Sequence, residues 1–562
     1  MIPISKTIDT DVLVVGGGIG GLMAAVGARR AGAGEVLVVE KANTKRSGSG
    51  ATGNDHFLCY YPEKHGPNIA PILQETLDSL IGLCHDVPLT LRFLKESFGI
   101  AQFWQEWGIN MKPMGDWEFM GHAFPGRPRI WLKYDGHNQK EVLTRAAKDS
   151  GAKILNHHPV LDLAYDESGV TGALALNVSD EEPSFTLIRA KAVILSTGTG
   201  NRLYPPAGTP SQLFNTAFCP SCTGDAQAMA WRIGAKLVNM ELPNRHAGPK
   251  YFARCGKATW IGLYKYPDGK LLGPFVTKPT KELGDITSDV WNTAFTDLMV
   301  NGTGPAYLDC SETSKEDLEF MRWAMASEGL TSLIDHMDKE GIDPGRHAVE
   351  FMQYEPHIIG RGLEININGE CSVPGLYAAG DMVGNFRADI AGAAVFGWIA
   401  GQHAAKRSVT LKDSVAESPW IKGRIAFYSS FMGRPESNPG WREANAALQQ
   451  IMNDYAAAGP YRVRSESLFK AGIKHLADLR RNSESQIQAT CSHTLMRTAE
   501  VFSLLDCAEA LIHAARERKE TRGMHVRTDF TFTNPILRDK FLTIRKENGA
   551  IIPEWRDKWK CS

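Results

Sequence analysis

The sequence predicts an α/β fold with a Rossmann-like dinucleotide-binding domain, an inserted α+β domain and a C-terminal helical domain. Three observations predict it. A βαβ unit with a glycine-rich turn opens the chain, two later strands also end in glycine turns, and the glycine-turn pattern stops near residue 410. We place the domains at 1–244, 245–345, 346–410 and 411–562. The first and third segments together form the dinucleotide-binding domain.

The opening βαβ unit spans Asp11 to Glu40. The β-branched run Val12–Val15 predicts a strand, and the small and apolar residues after the glycines predict a helix. A second strand, Val36–Val39, then ends in the acid. This order is typical of a dinucleotide-binding unit, and it makes a glycine-rich turn of another kind a poor alternative.

Each glycine of the turn has a physical role. Gly16 permits the tight turn, Gly18 lets the backbone approach a pyrophosphate, and Gly21 lets helix and strand pack closely. The helix N-terminus offers free N–H groups and a positive dipole end to the phosphates. Glu40 is placed to accept hydrogen bonds from a ribose.

Residues 41–54 predict a loop, because they are rich in glycine and hydroxyl side chains and lack hydrophobic periodicity. A loop just past the ribose-binding acid can run along a cofactor, since small residues allow close backbone approach. A plain surface loop remains the alternative.

Periodicity then predicts the elements in order. Residues 70–110 are helical, and residues 139–195 supply a helix, two strands and an antiparallel meander. Residues 191–200 form a buried strand that runs into a second glycine turn. Such a second glycine-ended strand recurs in flavoproteins that hold FAD in an extended form. Residues 224–240 predict a helix leading to a strand.

A third strand with a glycine turn lies near the end of the dinucleotide-binding domain. Residues 364–368 alternate and predict a strand, and residues 374–381 predict another that ends in Gly380-Asp381. The Asp381 carboxylate can reach a ribitol hydroxyl, and the helix at 392–405 points its dipole toward a flavin. Beyond residue 410 we predict helices at 441–455, 465–481 and 491–518, followed by a basic, irregular tail.

Composition excludes several classes of function. The net charge is −1, so there is no electrostatic case for nucleic acid or an anionic membrane surface. No apolar run is long enough to span a bilayer, and the N-terminus lacks the pattern of a secretory signal. Ten cysteines in 562 residues suit reduced thiols, so we expect a cytoplasmic protein. A single CxxC motif, Cys219 to Cys222, lacks a second pair, and we interpret it as incidental rather than as a redox or metal site.

These motifs carry a family resemblance over nearly the whole chain. The first βαβ unit, residues 196–200, 224–226, 375–381 and 395–401, the strand 304–309 and the segment 518–529 fall in the order of the fumarate reductase, succinate dehydrogenase and L-aspartate oxidase flavoprotein family. The resemblance implies FAD in a glutathione-reductase-type domain, an α+β capping domain hinged over the flavin, and a helical C-terminal domain.

The chain departs from the family pattern at informative places. Gly48 stands where covalently flavinylated members carry a histidine, so FAD should be noncovalent. Ser288 precedes Asp289 where the family has its proton-donating arginine. The Arg46-Ser47-Gly48 loop, the segment that starts at Asn244-Arg245, and Glu355-Pro356 look more like the alpha subunit of dissimilatory adenylylsulfate reductase.

On the motifs and the resemblance together we predict a set of cofactor contacts and no metal ligands. The predicted FAD contacts are Gly16, Gly18, Gly20, Gly21, Glu40, Lys41, Arg46, Ser47, Gly48, Gly53, Val160, Thr197, Gly198, Asp225, Gly380, Asp381, Ala394 and Val395.

The substrate side should be cationic. Arginine binds two oxygens of a carboxylate, sulfate or phosphate at once, and histidine exchanges protons near neutral pH. The alternative for each residue is a structural ion pair or a surface position. The candidates are His246, Lys250, Arg254, His357, Arg361 and Arg387.

Three functions remain open. The first is an FAD-dependent flavoprotein subunit, adenylylsulfate-reductase-like, that acts on a small anionic substrate and exchanges electrons with an iron–sulfur, ferredoxin-like partner. The second is a fumarate-reductase-like C=C reductase or dehydrogenase of a carboxylic acid, with His357 or Arg254 as proton donor. The third is an assembly or electron-transfer subunit without a substrate. The cations at 245–260 speak against the third.

Overall fold

The computed structural model of the chain describes residues 1–79, 82–120, 126–208, 212–250, 259–410 and 419–561. Its centre is a seven-stranded sheet in the order β5-β2-β1-β8-β7-β6, with β15 beside β8. The strands of this sheet are β1 (Ile4–Val15), β2 (Val36–Val39), β5 (Lys153–Leu155), β6 (Val160–Asp166), β7 (Gly169–Asn177), β8 (Ser184–Leu195) and β15 (Leu376–Ala378). The predicted α/β fold is confirmed.

The sheet is parallel where it meets the glycine turns and antiparallel in its meander. β1 pairs in parallel with β2 and β8, β2 with β5, and β15 with β8. The strands β6, β7 and β8 pair antiparallel. The carboxyl ends of β1, β2, β8 and β15 therefore meet at one edge, which is where ligands bind in open α/β sheets.

Two helices with small residues pack against the strands of this sheet. α1 (Ile19–Arg30) and α11 (Asp389–Thr410) cross closely, since a Cβ at Gly397 or Gly401 would overlap backbone atoms of α1. Further helices close the face: α2 (Pro62–His65), α3 (Ala70–Asp78), α4 (Val87–Trp107), α5 (Gln139–Asp149) and α6 (Asp225–Arg232), with a 3-10 turn at Gly82–Cys84. The small pair β3 (His56–Leu58) and β4 (Trp131–Lys133) lies beside them.

An inserted α+β unit has its own hydrophobic cluster, built around Trp260, Tyr264 and Phe351. Its sheet runs β10-β13-β12-β11 and is antiparallel. The elements are β10 (Asn244–Pro249), β11 (Leu263–Lys265), α7 (Thr287–Val290), α8 (Ala294–Asn301), β12 (Ala306–Asp309), α9 (Lys315–Ser327), α10 (Thr331–Glu340) and β13 (Val349–His357). We call this unit the cap; the exact boundaries of the four domains stay a prediction.

The C-terminal part is helical, as predicted, but its tail is not irregular. The helices are α12 (Pro419–Ser429), α13 (Trp441–Tyr455), α14 (Glu466–Gln486) and α15 (Ser492–Glu517), with a 3-10 turn at Pro535–Leu537. The tail forms a hairpin of β16 (Lys540–Glu547) and β17 (Ala550–Asp557), and β16 pairs with β9 (Leu237–Val238). Arg556 also pairs with buried Asp86 at 2.6 Å. The expectation of an irregular tail was wrong because alternating apolar residues are held against the first domain.

The predicted strand at 364–368 is also wrong. Only β14 (Gly362–Leu363) pairs there, with β9. The Asn366 side chain accepts hydrogen bonds from the backbone N–H groups of Asn368 (2.9 Å) and Glu370 (3.1 Å). These local bonds favour a turn over a strand, despite the alternation.

A buried ion cluster joins α15 to the first domain. The Glu500 carboxylate, 2 % exposed, accepts from Lys41 (3.1 Å), Arg202 (2.6 Å) and Arg497 (2.9 Å). Burial alone would raise the pKa of the Glu500 carboxyl, but the three cations outweigh burial and lower it to about 2. Removing this charge leaves the cations uncompensated in the core, which is costly.

We expect Glu500→Gln to lower the free energy of unfolding at pH 7 by about 3 kcal/mol. A lowered folded-state pKa contributes stability above the unfolded pKa of about 4.5, and that stability is lost as pH falls toward 2. The difference between wild type and variant should therefore vanish between pH 4.5 and 2. Denaturant unfolding across this range measures it. Glu517→Gln, in the last turn of the same helix, is the control and should change nothing at any pH.

Candidate active site

A large cavity lies at the carboxyl ends of the parallel strands. Its volume is about 1710 Å³. Ordinary ligand pockets hold roughly 300–1,000 Å³, so this one has room for a dinucleotide and a second molecule. Its walls come from the strand ends of the first domain, from the cap and from the C-terminal tail.

The glycine turn after β1 is shaped for close approach of a ligand. Gly16 has φ +97°, and a Cβ there would overlap the carbonyl of Ser196. A Cβ at Gly21 would overlap the carbonyl of Gly16, so Gly21 serves helix–strand packing. Gly18 differs, because the nearest atom to its Cβ would be Ser196 O at 3.8 Å. Its open side faces the cavity, and a pyrophosphate fits there against the N-terminus of α1.

Glu40 is held by backbone N–H groups. One carboxylate oxygen accepts from Gly17 N at 2.6 Å and the other from Ala42 N at 2.8 Å. Each oxygen keeps a second lone pair for a ribose hydroxyl. This oriented acid, with the empty space over Gly18, fits the adenosine half of FAD.

Lys140 was missed by sequence reasoning. It lies on α5, is 2 % exposed, and its ammonium donates to the carbonyl of Gly17. Burial lowers the pKa of Lys140 to about 8, while Glu40 acts to raise it. Lys140 therefore supports the glycine turn at residues 16–21 without lining the cavity itself. A lysine in the first turn of an amphipathic helix carries no sequence signal for this role.

Most of the predicted cofactor contacts line the cavity. Gly21, Ala394 and Val395 lie behind the wall. The Lys41 ammonium is bound by Asp225 at 2.6 Å as well as by Glu500. The predicted contacts in the lining are Gly16, Gly18, Gly20, Glu40, Lys41, Arg46, Ser47, Gly48, Gly53, Val160, Thr197, Gly198, Asp225, Gly380 and Asp381.

Four of the six predicted catalytic residues line the same cavity: His246 and His357 from the cap, and Arg361 and Arg387 from the segment that follows it. Strand pairing explains part of this, since β10 and β13 pair Asn244 with His357. Lys250 instead pairs with Glu350 at 2.7 Å and is absent from the lining. Arg254 lies outside the described residues.

His357 holds a buried hydrogen-bond donor in the wall of the cavity. It is 2 % exposed, and its Nδ1 accepts from Ile359 N at 3.4 Å, which places the proton of the neutral ring on Nε2. Nε2 is buried and has no partner among the described residues. Burial, then the charges of Arg387, His246 and other nearby cations, holds the pKa of His357 well below its usual range.

Arg361 is a buried cation without a carboxylate among the described residues. It is 6 % exposed and donates to the carbonyls of Leu242 and Gly360 and to the Asn244 side chain. Arg245 likewise donates to a backbone carbonyl, that of Tyr354, at 2.7 Å. Burial and the charge of Arg462 lower the pKa of Arg245 to about 10.

Arg387 is compensated within the protein, because it pairs with Asp389 at 2.7 Å. The positive charge available to a ligand in this part of the cavity therefore comes from Arg361 and Arg245.

A second group that sequence reasoning missed joins the first domain to the cap. Asp55 is fully buried and bonds to Lys133 and to His56, each at 2.6 Å. Glu328 of the cap lies 4.0 Å from His56. Burial, and then the charge of Asp55, hold the pKa of Glu328 well above its usual range and so favour its protonated form.

The same three side chains, Asp55, His56 and Glu328, place ligand-type atoms within 4.8 Å of one another. The Asp55 carboxylate already binds the Lys133 ammonium, whose positive charge would repel a metal ion. The group is therefore better suited to holding a proton than a metal ion. His56 and Glu328 both line the cavity. No spacing pattern links Asp55 to Glu328, which is why the sequence did not indicate them.

The cap packs against the loop at residues 41–54 through backbone contacts. A Cβ at Gly329, at the end of α9, would overlap the carbonyl of Thr52, and one at Gly53 would overlap the carbonyl of Ser327. Gly329 and Gly341 both have positive φ, +74° and +67°, but a Cβ at Gly341 meets nothing within 4 Å.

We therefore expect Gly329→Ala, but not Gly341→Ala, to loosen the cap. Both carry the same backbone penalty, and only the first inserts a methyl group against Thr52, which costs about 1–3 kcal/mol. Hydrogen exchange of residues 48–54 should accelerate roughly tenfold in Gly329→Ala. Equal exchange in both variants would show that the contact does not hold the cap.

Among the described residues, no helix is both long and apolar enough to cross a bilayer.

Comparisons with known proteins agree with this geometry. The FAD binding domain family matches residues 11–388, and the fumarate reductase flavoprotein C-terminal family matches residues 445–545. The fumarate reductase flavoprotein subunit of Haemophilus influenzae is 24% identical, with 97% of this chain and 93% of that protein covered.

Two solved structures show the same fold over the whole chain. Adenylylsulfate reductase from Archaeoglobus fulgidus has a TM-score of 0.85 at 21% identity, with 100% and 97% of the two chains covered. Quinol fumarate reductase from E. coli has a TM-score of 0.81 at 21% identity, with 99% and 98% covered. Since the FAD family covers most of the chain and the cavity fits its cofactor, the chain belongs to the fumarate reductase/succinate dehydrogenase flavoprotein family of FAD-dependent oxidoreductases.

Proposed function

We propose that this oxidoreductase is a flavoprotein subunit that acts on a small anionic substrate and exchanges electrons with an iron–sulfur partner. The observation that carries the proposal is Arg361, a buried guanidinium in the cavity without a carboxylate among the described residues. An uncompensated buried cation is costly, and an anionic ligand relieves the cost.

The chemistry of the ligand follows from the donors around Arg361. A guanidinium binds two oxygens of a carboxylate, sulfate or phosphate group in one plane. Arg245 adds a second cation from the neighbouring strand β10. The lining is cationic as a whole, with fourteen Lys and Arg against nine Asp and Glu among the described residues.

His357 would donate a hydrogen bond from Nε2 to an oxygen of this substrate. Its neutral ring keeps the donor in place without adding to the charge. A preorganised donor that faces developing negative charge stabilises the transition state, typically by about 3 kcal/mol. FAD, when bound noncovalently beside Gly48, supplies one- and two-electron transfer.

A protein electron partner is the second part of the proposal. The sequence has one dinucleotide-binding glycine motif, which FAD occupies, and shows no cluster of cysteines with iron–sulfur spacing. Electrons must then arrive from another molecule. Several relatives are named as subunits, including the Haemophilus protein, and this supports an assembly.

Adenylylsulfate is the substrate that we favour, because the loop at Arg46, the Asn244-Arg245 segment and Glu355-Pro356 resemble that branch. Glu355 orders a segment of the cavity wall, since it accepts from Ala207 N (3.2 Å) and from Ala217 N (2.6 Å), and Ala217 lines the cavity. The fold likeness to adenylylsulfate reductase supports the choice without deciding the substrate.

One observation favours a C=C reductase of a carboxylic acid instead. Such a reaction needs a proton donor, and Ser288 stands where the family has its arginine. Glu328, whose pKa is raised by burial and by the charge of Asp55, lies beside His56 on the cap side of the cavity and would be the donor in such a reaction.

An anaerobic substrate panel tests the two. The holoenzyme is reduced chemically, and its reoxidation is followed with adenylylsulfate, fumarate or an aryl acrylate; sulfite is added separately to the oxidised enzyme with and without AMP. We expect an AMP-dependent spectral response to sulfite, and reoxidation by adenylylsulfate. Reoxidation by an enoate alone would assign the C=C reductase. No response to any anion would contradict the anionic substrate.

A further inference from the structure

The CxxC motif that precedes α6 forms a defined turn in the cavity wall. The backbone N–H of Cys222 donates to Cys219 O at 3.0 Å, which closes the turn. Asn201 fixes both ends, because its side chain donates to Cys219 O at 2.8 Å and its backbone N–H donates to Cys222 O at 2.8 Å. A turn of this kind keeps its end Cα atoms within about 7 Å, the range that a disulfide spans.

The two thiols differ in access. Cys222 is 7% exposed and packs against Gly198, where a Cβ would lie 3.0 Å from its sulfur. Cys219 is half-buried, and both residues line the cavity. Both thiols are free. In a redox-active pair, this arrangement lets the outer sulfur react with the substrate and the inner sulfur then attack the outer one.

The surroundings of Cys219 favour its thiolate. The Cys222 thiol donates to the Cys219 sulfur, and the backbone N–H groups of Ser221 and Gly48 also donate to it. The Lys41 ammonium donates to Ser221 O at 2.9 Å, so its positive charge lies at the turn. Together these lower the pKa of Cys219 to about 6 against the effect of burial, while the hydrogen bond to Cys219 and burial hold the pKa of Cys222 well above its usual range.

We propose that Cys219 and Cys222 are a redox-active dithiol that reduces a small disulfide compound entering the flavin cavity. The Cys219 thiolate attacks one sulfur of the disulfide, forms a mixed disulfide and releases the first thiolate. Cys222 gives its proton to the released thiolate and attacks the Cys219 sulfur, which releases the second thiolate. The pair is oxidised by two electrons and the substrate disulfide is reduced by two. The first product leaves as a thiol, and the second takes up a proton from solvent.

This assignment replaces the sequence expectation of incidental cysteines. Incidental thiols need neither a turn fixed at both ends nor an adjacent ammonium. The lack of a second cysteine pair in the sequence disfavours a metal ion.

Thiol chemistry on the holoenzyme provides the first test. The fully reduced enzyme is alkylated with iodoacetamide at pH 6, and labelled peptides are quantified by mass spectrometry. We expect Cys219 to react roughly tenfold faster than exposed Cys561, because its thiolate fraction is far higher although its intrinsic nucleophilicity is lower. Cys222→Ala should remove this advantage. A rate at Cys219 equal to that at Cys561 would overturn the proposal.

A second test counts electrons and does not depend on turnover. The enzyme is equilibrated with oxidised glutathione without air, freed of glutathione, and titrated with dithionite while flavin absorbance is recorded. Wild type should take up two electrons more per chain than Cys219→Ser, and peptide mapping should show the Cys219–Cys222 disulfide in wild type and in Cys561→Ser. Cys222→Ser cannot resolve the mixed disulfide and should instead retain glutathione on Cys219. Retained flavin absorbance in every variant shows that the chain is folded. Equal electron uptake by wild type and Cys219→Ser would refute a redox-active pair.

Discussion

Gly18→Val should give a folded chain that holds no flavin. The backbone of Gly18 has φ −69°, which any residue can adopt, and its Cβ would meet no protein atom closer than 3.8 Å. The added side chain therefore occupies cavity space where the pyrophosphate fits, and not protein space. We expect a cost to the unfolding free energy of the apoprotein of about 1 kcal/mol, for the changed residue at the start of α1.

Flavin content per chain, from absorbance of the purified protein, measures the effect. We expect it to fall below a tenth of the wild-type value, while the circular dichroism spectrum is unchanged. Gly423→Val in α12 also adds its side chain in open space, away from the cavity, and should keep full flavin content. A yellow Gly18→Val protein would show that the pyrophosphate lies elsewhere.

Arg361→Gln should lose activity without losing stability. The guanidinium makes the charged contact to the anion, and a hydrogen bond to a charged group contributes about 1.5–3 kcal/mol. We expect kcat/KM for the anion identified in the substrate panel to fall roughly 100-fold. Stability of the ligand-free protein should hold or rise, since the change removes a buried charge that has no carboxylate partner among the described residues.

Opposite directions for activity and stability make this test specific. If Arg361 instead belonged to a structural ion pair, its substitution would lower both activity and stability. Arg442→Gln, on the exposed face of α13, is the matched control and should change neither. Unchanged kcat/KM in Arg361→Gln would mean that the substrate is not bound by this cation.

Much of the cofactor half of the site was predictable because its signals are local. The turn at Gly16 to Gly21 and the acid at Glu40 follow from strand, turn and helix patterns a few residues long. Pairing then brought Ser196 and Gly380, at the ends of two later strands, to the same edge. The parallel sheet determines that convergence once each strand is recognised.

The rest depends on contacts between distant segments. Lys140, Asp55 and Glu328 reach the cavity through packing of a helix and of the cap, and no periodicity encodes such packing. The hairpin tail was missed for the same reason, since its partner strand at Leu237–Val238 lies in another domain. The alternation at residues 364–368 led to a wrong strand prediction, because the Asn366 side chain stabilises a turn there.

The hairpin at the end of the chain has a consequence for biosynthesis. One edge of Leu237–Val238 has no neighbour until residues 540–547 have left the ribosome. The nascent chain therefore carries an open strand edge through most of its synthesis, and open edges invite pairing with other chains. A chain that stops before residue 540 keeps this edge open and is therefore prone to aggregate.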